Sequence, residues 1–483
     1  MARMAKKKAV NGPAVATRPS AVIAARPLVN LAQCVADANA AIRDPDPGPS
    51  DPRDFPNLML RLPSAREKLA PIYQTGMFDP YLHTLNGLGQ AGFEQILASD
   101  PNDERQGRLM MDMAQALLQP SEGFQHAALR AFQELVSDLY DGFLSAEDRA
   151  AVKKPDRGVT APMVKFGEPA SGPYTWPIEA TASFRLATST PPTAAVVSLP
   201  PSNARLGLMA WSSIGHETAG HDILSADTGL KQEVTNVVRK SLMAAGLKTL
   251  AGYWADRIDE TASDVLGILN MGPAAGVGLI AFFRGFGGAL RSAGPDSDPH
   301  PADILRGFLA ASTVRLLEFS DHIKWADVIR QETLKDLKPI TLAGRPVTAG
   351  QAEKSAVVVA QAIAATRLRS LENTAFIQIQ NWRNSDEAIS DGLRQILTSS
   401  TPIPANFGSD AFAAHAVAAA VMAALAGEST IRNIQSRMIT VLGLMHDQNA
   451  SFGPLFVTHP SNIAAHFDYK ELMDTVSQPT GLR

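Results

Sequence analysis

The chain has 483 residues, a length that exceeds one ordinary hydrophobic core and favours two or three domains. Its hydrophobic content of 45%, charged content of 19% and net charge of -4 are typical of a soluble globular protein and argue against nucleic-acid binding. The single cysteine, Cys34, excludes an internal disulfide framework and a cysteine-rich zinc module. Any bound metal ion must therefore be held by histidine and carboxylate side chains.

Residues 1–55 are predicted to form a basic, proline-rich tail and linker that carries one short helix at 29–42. Its first part lacks the continuous apolar run of a secretory signal. The most apolar stretch, 265–290, is interrupted by Gly272 and Pro273, so no run reaches the ~20 residues that a membrane span requires. We expect a cytoplasmic protein without a membrane span.

The region 56–152 has apolar residues at helical spacing, which predicts a helical N-terminal domain. Its clearest helices cover about 109–118 and 128–139. The pattern indicates helix packing and contains no motif with an assignable chemistry.

The sequence pattern changes at residue 153 from helical spacing to short strand-like segments. The segments 175–184 and 193–199 are rich in β-branched and aromatic residues and are bounded by prolines, which predicts a small sheet. One interpretation of 194–199 is an edge strand that pairs with an extended peptide, and the alternative is a plain structural hairpin.

The rest of the chain is predicted to be helical. A long helix at about 231–269, in one or two pieces meeting near Gly246, ends at the glycine and proline that follow Met271. Further helices are predicted at about 275–290, 302–319, 352–373, 385–397, 411–425 and 430–445.

The segment 216–221 reads HETAGH and follows an apolar helical run. Zinc takes imidazole and carboxylate ligands, and a hydrolytic zinc site keeps one position open for water. We therefore predict His216 and His221 as ligands and Glu217 as the general base that takes a proton from the water.

The spacing of the two histidines imposes a structural condition. Residues five apart do not share a face of a regular α-helix, whereas residues four apart do. His216 and His221 can bind one ion only if the helix accommodates an extra residue, as a π-bulge does, and Gly220 makes this feasible. Otherwise the histidines are ordinary polar residues at a helix end.

A second acidic segment, 259–264, reads DETASD and lies on a predicted helix. Glu260 and Asp264 are one turn apart, opposite an apolar stripe. Glu260 is a candidate third ligand, and Asp264 could orient a ligating imidazole. The alternative is a solvated acidic face.

Together these segments resemble the two metal-binding motifs of the dipeptidyl peptidase III family, HExxGH and EExxA(E/D). The second is also similar to the ExxxD helix of gluzincin metallopeptidases. The resemblance implies that His216, His221 and Glu260 bind Zn²⁺, that Glu217 is the general base and that Asp264 holds a histidine. Asp259 and Ser263 differ from the narrower pattern, so only the zinc chemistry is carried over.

The resulting prediction is an α+β, predominantly helical protein. A small sheet precedes a zincin-like helix pair within a catalytic region at 153–335, and 336–483 forms a helical C-terminal region. The predicted function is that of a zinc metallopeptidase acting on peptide or protein substrates.

A peptidase also needs a group that stabilises the oxyanion. Tyr253, His300 and His459 are candidates, whereas His415 lies in an alanine-rich helix and is expected to be a core histidine.

Two other functions remain open. One is a non-catalytic helical interaction protein, with no metal or with a structural site closed by a further ligand such as Asp256. The other is an HD-type phosphohydrolase, which would use His221, Asp222 and an upstream histidine such as His83 or His126.

Overall fold

The computed structural model describes residues 28–448 with gaps at 102–105, 145–151, 153–154, 157–159, 169–171, 188, 406 and 408–409. The described chain is predominantly helical with two small mixed sheets, which agrees with the predicted α+β class. No helix in these ranges is both long enough and apolar enough to cross a membrane. Most of the predicted tail, 1–27, lies outside the described residues.

The N-terminal part consists of helices and one π-helix, Gln74–Phe78. The helices are α1 (Leu31–Ile42), α2 (Phe55–Arg66), α3 (Pro71–Tyr73), α4 (Asp79–Ser99), α5 (Gln106–Glu122) and α6 (His126–Leu144). The predictions of a short helix at 29–42 and of helices around 109–118 and 128–139 are confirmed by α1, α5 and α6.

The first sheet has three strands in the order β1-β3-β2. They are β1 (Met163–Phe166), β2 (Tyr174–Trp176) and β3 (Val196–Leu199); β3 pairs parallel with β1 and antiparallel with β2. The edge-strand prediction for 194–199 is wrong, because β3 has a partner on each side and β2 is an outer strand.

The predicted strand 175–184 is also largely wrong. Only its start lies in β2, and Ile178–Ser183 forms helix α7 directly after Pro177. Proline fixes an extended backbone before the first turn and then permits a helix to begin. The β-branched residues in this segment therefore reflect packing rather than strand pairing.

The central helices are short and closely packed. They are α8 (Met209–Ser212), α9 (Ile214–His216), a π-helix (Glu217–Asp222), α10 (Ile223–Ala226), α11 (Leu230–Ala244), α12 (Lys248–Ala255), α13 (Ile258–Met271) and α14 (Pro273–Gly287). The predicted helix 231–269 is three helices. It breaks at Gly246, which has a φ of 78°, and again before Ile258.

The remaining helices are α15 (Asp303–Val314), α16 (His322–Lys335), α17 (Ala349–Ala365), α18 (Phe376–Ile379), α19 (Asn384–Thr398), α20 (Ala413–Ala426) and α21 (Ile431–Gln448). A second sheet has the order β4 (Ala293–Gly294), β5 (Ile340–Leu342) and β6 (Arg345–Val347). Helix α16 was not predicted. Its buried positions include Ala326, Glu332 and Thr333, so its inner face has no continuous apolar stripe.

The first sheet lies between two hydrophobic clusters. Val164 and Val197 face the larger cluster, which contains the central and C-terminal helices, whereas Met163 and Val196 face the smaller one with α2–α5. This division follows the alternation of side chains along a strand. Helices α1 and α6 belong to the larger cluster, although the sequence places them ahead of the predicted catalytic region. The outer strand β2 lies next to the π-helix Glu217–Asp222, and its Trp176 packs against the smaller cluster.

Candidate metal centre

The HETAGH segment contains the extra residue that its histidine spacing requires. Residues Glu217–Asp222 form a π-helix, continuous with α9 before it and α10 after it. Because a π-helix bonds residue i to residue i+5, His216 and His221 lie one turn apart on the same face. Their ring centroids are 4.9 Å apart, with the rings at 84°.

Helix α13 approaches this segment closely at two glycines. A Cβ at Gly220 would lie 2.3 Å from the Ser263 Cβ, and a Cβ at Gly267 would lie 3.0 Å from the His216 backbone nitrogen. Separations of this size leave no room for a side chain. The two helices can therefore place imidazoles and carboxylates from opposite backbones within one small volume.

Three ligand-type side chains meet at this contact. His216, His221 and Glu260 each offer one ligand atom, and these atoms all lie within 4.8 Å of one another. The Nε2 atoms of His216 and His221 are 3.2 Å and 3.6 Å from the two oxygens of Glu260. The sequence-predicted ligands are thus brought together.

Each histidine has a second carboxylate at its other nitrogen. His216 Nδ1 lies 2.8 Å from Asp264 Oδ1, and His221 Nδ1 lies 3.2 Å from Asp259 Oδ1. Because an ionised carboxylate only accepts hydrogen bonds, both Nδ1 atoms donate and both Nε2 atoms face Glu260. This is the arrangement that orients histidine ligands in metal sites.

The partner carboxylates are themselves held by cations. Arg306 donates two hydrogen bonds of 2.7 Å to the oxygens of Asp264, and its guanidinium lies over the Phe283 ring. The Lys231 ammonium lies 2.6 Å from Asp259. The Asp264 carboxylate is therefore held by a buried arginine, whereas Asp259 is paired with a lysine at the surface.

The electrostatics favour a cation between the imidazoles and Glu260. Burial lowers the pKa of His216, but the hydrogen bonds that the imidazole donates to Asp264 and Glu260 outweigh burial and raise the pKa to about 10. Burial raises the pKa of Glu260, but His216 more than compensates and holds this pKa well below its usual range. The carboxylates of Asp264 and Glu260 thus stabilise positive charge on His216.

The donor set fits a divalent metal ion. In the neutral tautomer that Asp264 selects, the Nε2 lone pair of His216 points at a carboxylate oxygen only 3.2 Å away. Two acceptors at this distance repel one another unless a proton or a metal cation lies between them. Two imidazole nitrogens and one carboxylate oxygen are ligands that Zn²⁺ prefers.

Glu217 is held beside this group by the neighbouring sheet. Its Oε2 accepts a hydrogen bond of 2.9 Å from the Thr175 hydroxyl of β2. The side chain is buried, so this hydrogen bond compensates part of the cost of removing a carboxylate from water. Burial lowers the pKa of His221, but the hydrogen bond to Asp259 and the charges of Glu260 and Glu217 raise it above its usual value.

Asp222, the residue after His221, is not exposed to solvent as a polar residue at an ordinary helix end would be. It is buried and follows Glu217 by one π-turn, and its carboxylate oxygens have no hydrogen-bond partner in the described chain. Burial, assisted by the charge of Glu217, raises the pKa of Asp222 well above its usual value. Asp222 lies outside the group of ligand-type side chains formed by His216, His221 and Glu260, whereas an HD-type site requires it as a metal ligand.

His300 lies at the solvent side of the centre. Its Nε2 is 3.4 Å from Glu260 Oε1, its Nδ1 is 2.8 Å from Asp298 Oδ1, and its side chain is 45% exposed. The Tyr253 hydroxyl instead accepts a hydrogen bond from the Ala302 backbone, so it anchors the His300 loop.

Other sequence candidates lie elsewhere. His415 is buried and contacts Asp386, as expected for a core histidine, and Asp256 pairs with Arg239 at the surface. His459 lies outside the described residues. Among the residues described, His83 and His126 are not in the metal-ligand group.

Sequence reasoning missed four residues of this site. In the sequence Asp259 is a departure from the family motif, and no motif marks Arg306 or Asp298 as a site residue. Thr175 is separated from Glu217 by 42 positions, and no local pattern connects them. The short Asp298–His300 spacing was the one available signal, since a turn can bring such side chains together.

No protein-family model matches the chain, and neither a curated protein nor a solved structure shows significant similarity to it.

Proposed function

We propose that this protein is a zinc-dependent metallopeptidase. The observation that carries the proposal is the π-helix Glu217–Asp222, which brings His216 and His221 to Glu260 while Glu217 is held beside them. A regular helix would separate the two histidines. A π-bulge is uncommon and often marks a functional site.

The number of ligands supports a catalytic rather than a structural centre. Within the described ranges, the group consists of three protein ligands, whereas structural zinc sites are closed by four. A bound Zn²⁺ would supply a polarised substrate carbonyl and a water of lowered pKa. His216, His221 and Glu260 would hold the ion.

The remaining groups have roles that follow from their positions. Glu217 takes the proton of the attacking water and gives it to the leaving amine. Thr175 orients the Glu217 carboxylate through its hydroxyl. His300, held by Asp298 at the exposed side, donates a hydrogen bond from Nε2 to the oxygen that becomes negative, in the imidazolium form in which Nδ1 also donates to Asp298.

The position of β2 supports a peptide as the substrate. It is an outer strand of the sheet, and Thr175 within it touches Glu217. An extended peptide can add to such an edge through main-chain hydrogen bonds. We therefore place the substrate along β2, with its scissile carbonyl near Glu260.

The test is the variant Glu217→Gln, which keeps the shape of the side chain but removes its basicity. We expect the variant to retain zinc and to lose about 10²- to 10⁴-fold in the rate of peptide hydrolysis. A peptide mixture analysed by mass spectrometry provides the substrate, and Glu67→Gln, at an exposed position, provides the control. Retained zinc with unchanged hydrolysis would contradict the general-base assignment, and zinc without any hydrolysis in the unmodified protein would indicate a structural site.

A further inference from the structure

Strand β2 contacts a different carboxylate on each of its two faces. Tyr174 and Trp176 each donate a 2.7 Å hydrogen bond to Asp112 Oδ2, whereas Thr175 donates to Glu217 Oε2 on the opposite face. Successive side chains of a strand point to opposite faces. One register of β2 therefore satisfies both contacts, and a slip by one residue breaks both.

Asp112 is the centre of a buried network that ties β2 to two other elements. It extends from α5 and lies 2.5 Å from the Lys165 ammonium of β1, which is fully buried and donates to Gln115 Oε1. The Arg108 guanidinium covers the Tyr174 ring at 4.2 Å. The network thus fixes β2 against α5 and β1.

The network is better suited to fixing geometry than to adding stability. The cost of desolvating a buried ion pair often cancels its Coulomb attraction. Apolar residues of similar size at the same positions commonly stabilise the folded state to the same extent. A carboxylate such as Asp112, with donors from separate strands, specifies one arrangement of those strands. Strand β2 has only three residues and one paired side in its sheet, so its backbone pairing alone specifies register weakly.

Resting on the proposed function, we propose that Asp112 and Thr175 are positioning residues for the general base. Asp112 fixes the register of β2 through Tyr174 and Trp176, and Thr175 uses this register to hold the Glu217 carboxylate. The smaller hydrophobic cluster thereby contributes to catalysis at a centre built by the larger one. Neither residue is in the metal-ligand group, so their effect should fall on turnover rather than on zinc binding.

Substitutions at Thr175 test whether its hydroxyl positions the Glu217 carboxylate. Thr175→Val removes the hydroxyl at nearly constant shape and should lower kcat about 10- to 100-fold, with zinc content and KM unchanged. Thr175→Ser retains a hydroxyl and should keep kcat within about threefold of the unmodified protein. Thr235→Val, which removes an exposed hydroxyl from α11, is the matched control.

Substitutions in the Asp112 network test whether this network fixes the register of β2. Tyr174→Phe removes one donor to Asp112 and keeps the ion pair with Lys165, so it should fold even if Asp112→Asn does not. We expect Tyr174→Phe to lower kcat and to raise amide hydrogen exchange in β2. Since both steps act through one contact, the double variant Tyr174→Phe/Thr175→Val should turn over no more slowly than Thr175→Val alone.

The outcomes separate this inference from the proposed function. Absence of zinc or of peptide cleavage in the unmodified protein would overturn the proposed function and this inference with it. If the unmodified protein cleaves peptides, an unchanged kcat in Thr175→Val would overturn the inference alone. The inference would also be overturned if the double variant lost kcat by the product of the two single losses, because the two substitutions would then act independently.

Discussion

Gly220 and Ser263 pack together so closely that a methyl group on Gly220 would lie 2.3 Å from the Ser263 Cβ and 2.5 Å from its Cα. This contact joins the π-helix to α13. We expect Gly220→Ala to push the two helices apart, to lower the free energy of unfolding by about 1–3 kcal/mol and to abolish zinc binding. Chemical denaturation and metal analysis measure the two effects.

The control for this prediction is Gly392→Ala in α19, where a Cβ meets open space. Alanine has a higher helix propensity than glycine, so this variant should be slightly more stable. Equal behaviour of the two variants would contradict the proposed role of the Gly220 contact.

Zinc affinity should increase with pH. His216 has a pKa of about 10 without a metal ion, because Asp264 and Glu260 outweigh the effect of burial, so at neutral pH the imidazole carries a proton that a metal ion must displace. Between pH 6.5 and 8.5 the apparent Kd should fall about tenfold per pH unit for each proton released. Titration against a chromophoric chelator measures this slope, and an affinity independent of pH would contradict the assignment.

His300 should act on turnover rather than on metal binding. Its position beside Glu260 and its contact with Asp298 suit a donor to the developing oxyanion. We expect His300→Ala to retain zinc and to lower kcat about 10²- to 10³-fold. Loss of zinc in this variant would instead identify His300 as a ligand; His83→Ala, at an exposed position, controls for removal of a histidine.

Glu387 should make the protein less stable as pH rises. Burial, assisted by Asp391 and Asp321, raises the pKa of Glu387 to about 7 from its usual 4.5, against a hydrogen bond from Trp382. The folded state therefore binds the proton more tightly, and stability falls as pH increases from about 4.5 to about 7.

The variant Glu387→Gln tests this pH dependence. It keeps an acceptor for the Trp382 indole, which donates over 2.8 Å, and removes the charge. Its gain in unfolding free energy at pH 8 should be at most about 3 kcal/mol, and the gain should disappear below pH 4.5. Urea denaturation at both pH values measures the difference, and an equal gain at both would show that titration of Glu387 is not the cause.

The sequence predicted the structure best where the residues concerned lie a few positions apart on one helix. The five-residue interval between His216 and His221 required a bulged helix, and the π-helix Glu217–Asp222 is present. Glu260 and Asp264 were predicted to share a helical face, and α13 places them on one side. Periodicity also located most of the helices, because buried faces repeat at a helical interval.

Prediction failed where a residue's surroundings come from distant segments. Ile178–Ser183 forms a helix although the segment contains residues typical of strands, and the sheet order that makes β2 an outer strand depends on β1, which was not predicted. Helix α16 has no clear helical apolar pattern, because Glu332 and Thr333 are buried on its inner face. Contacts such as that between Thr175 and Glu217 require the whole fold and have no local signature.

The zinc content of purified protein tests the central claim most directly. After metal removal and reloading, elemental analysis should find one zinc ion per chain in the unmodified protein and in His83→Ala, and none in His216→Ala or His221→Ala. These variants separate the proposed ligands from an exposed histidine. Failure of the unmodified protein to bind zinc, or retention of zinc by both ligand variants, would contradict the account.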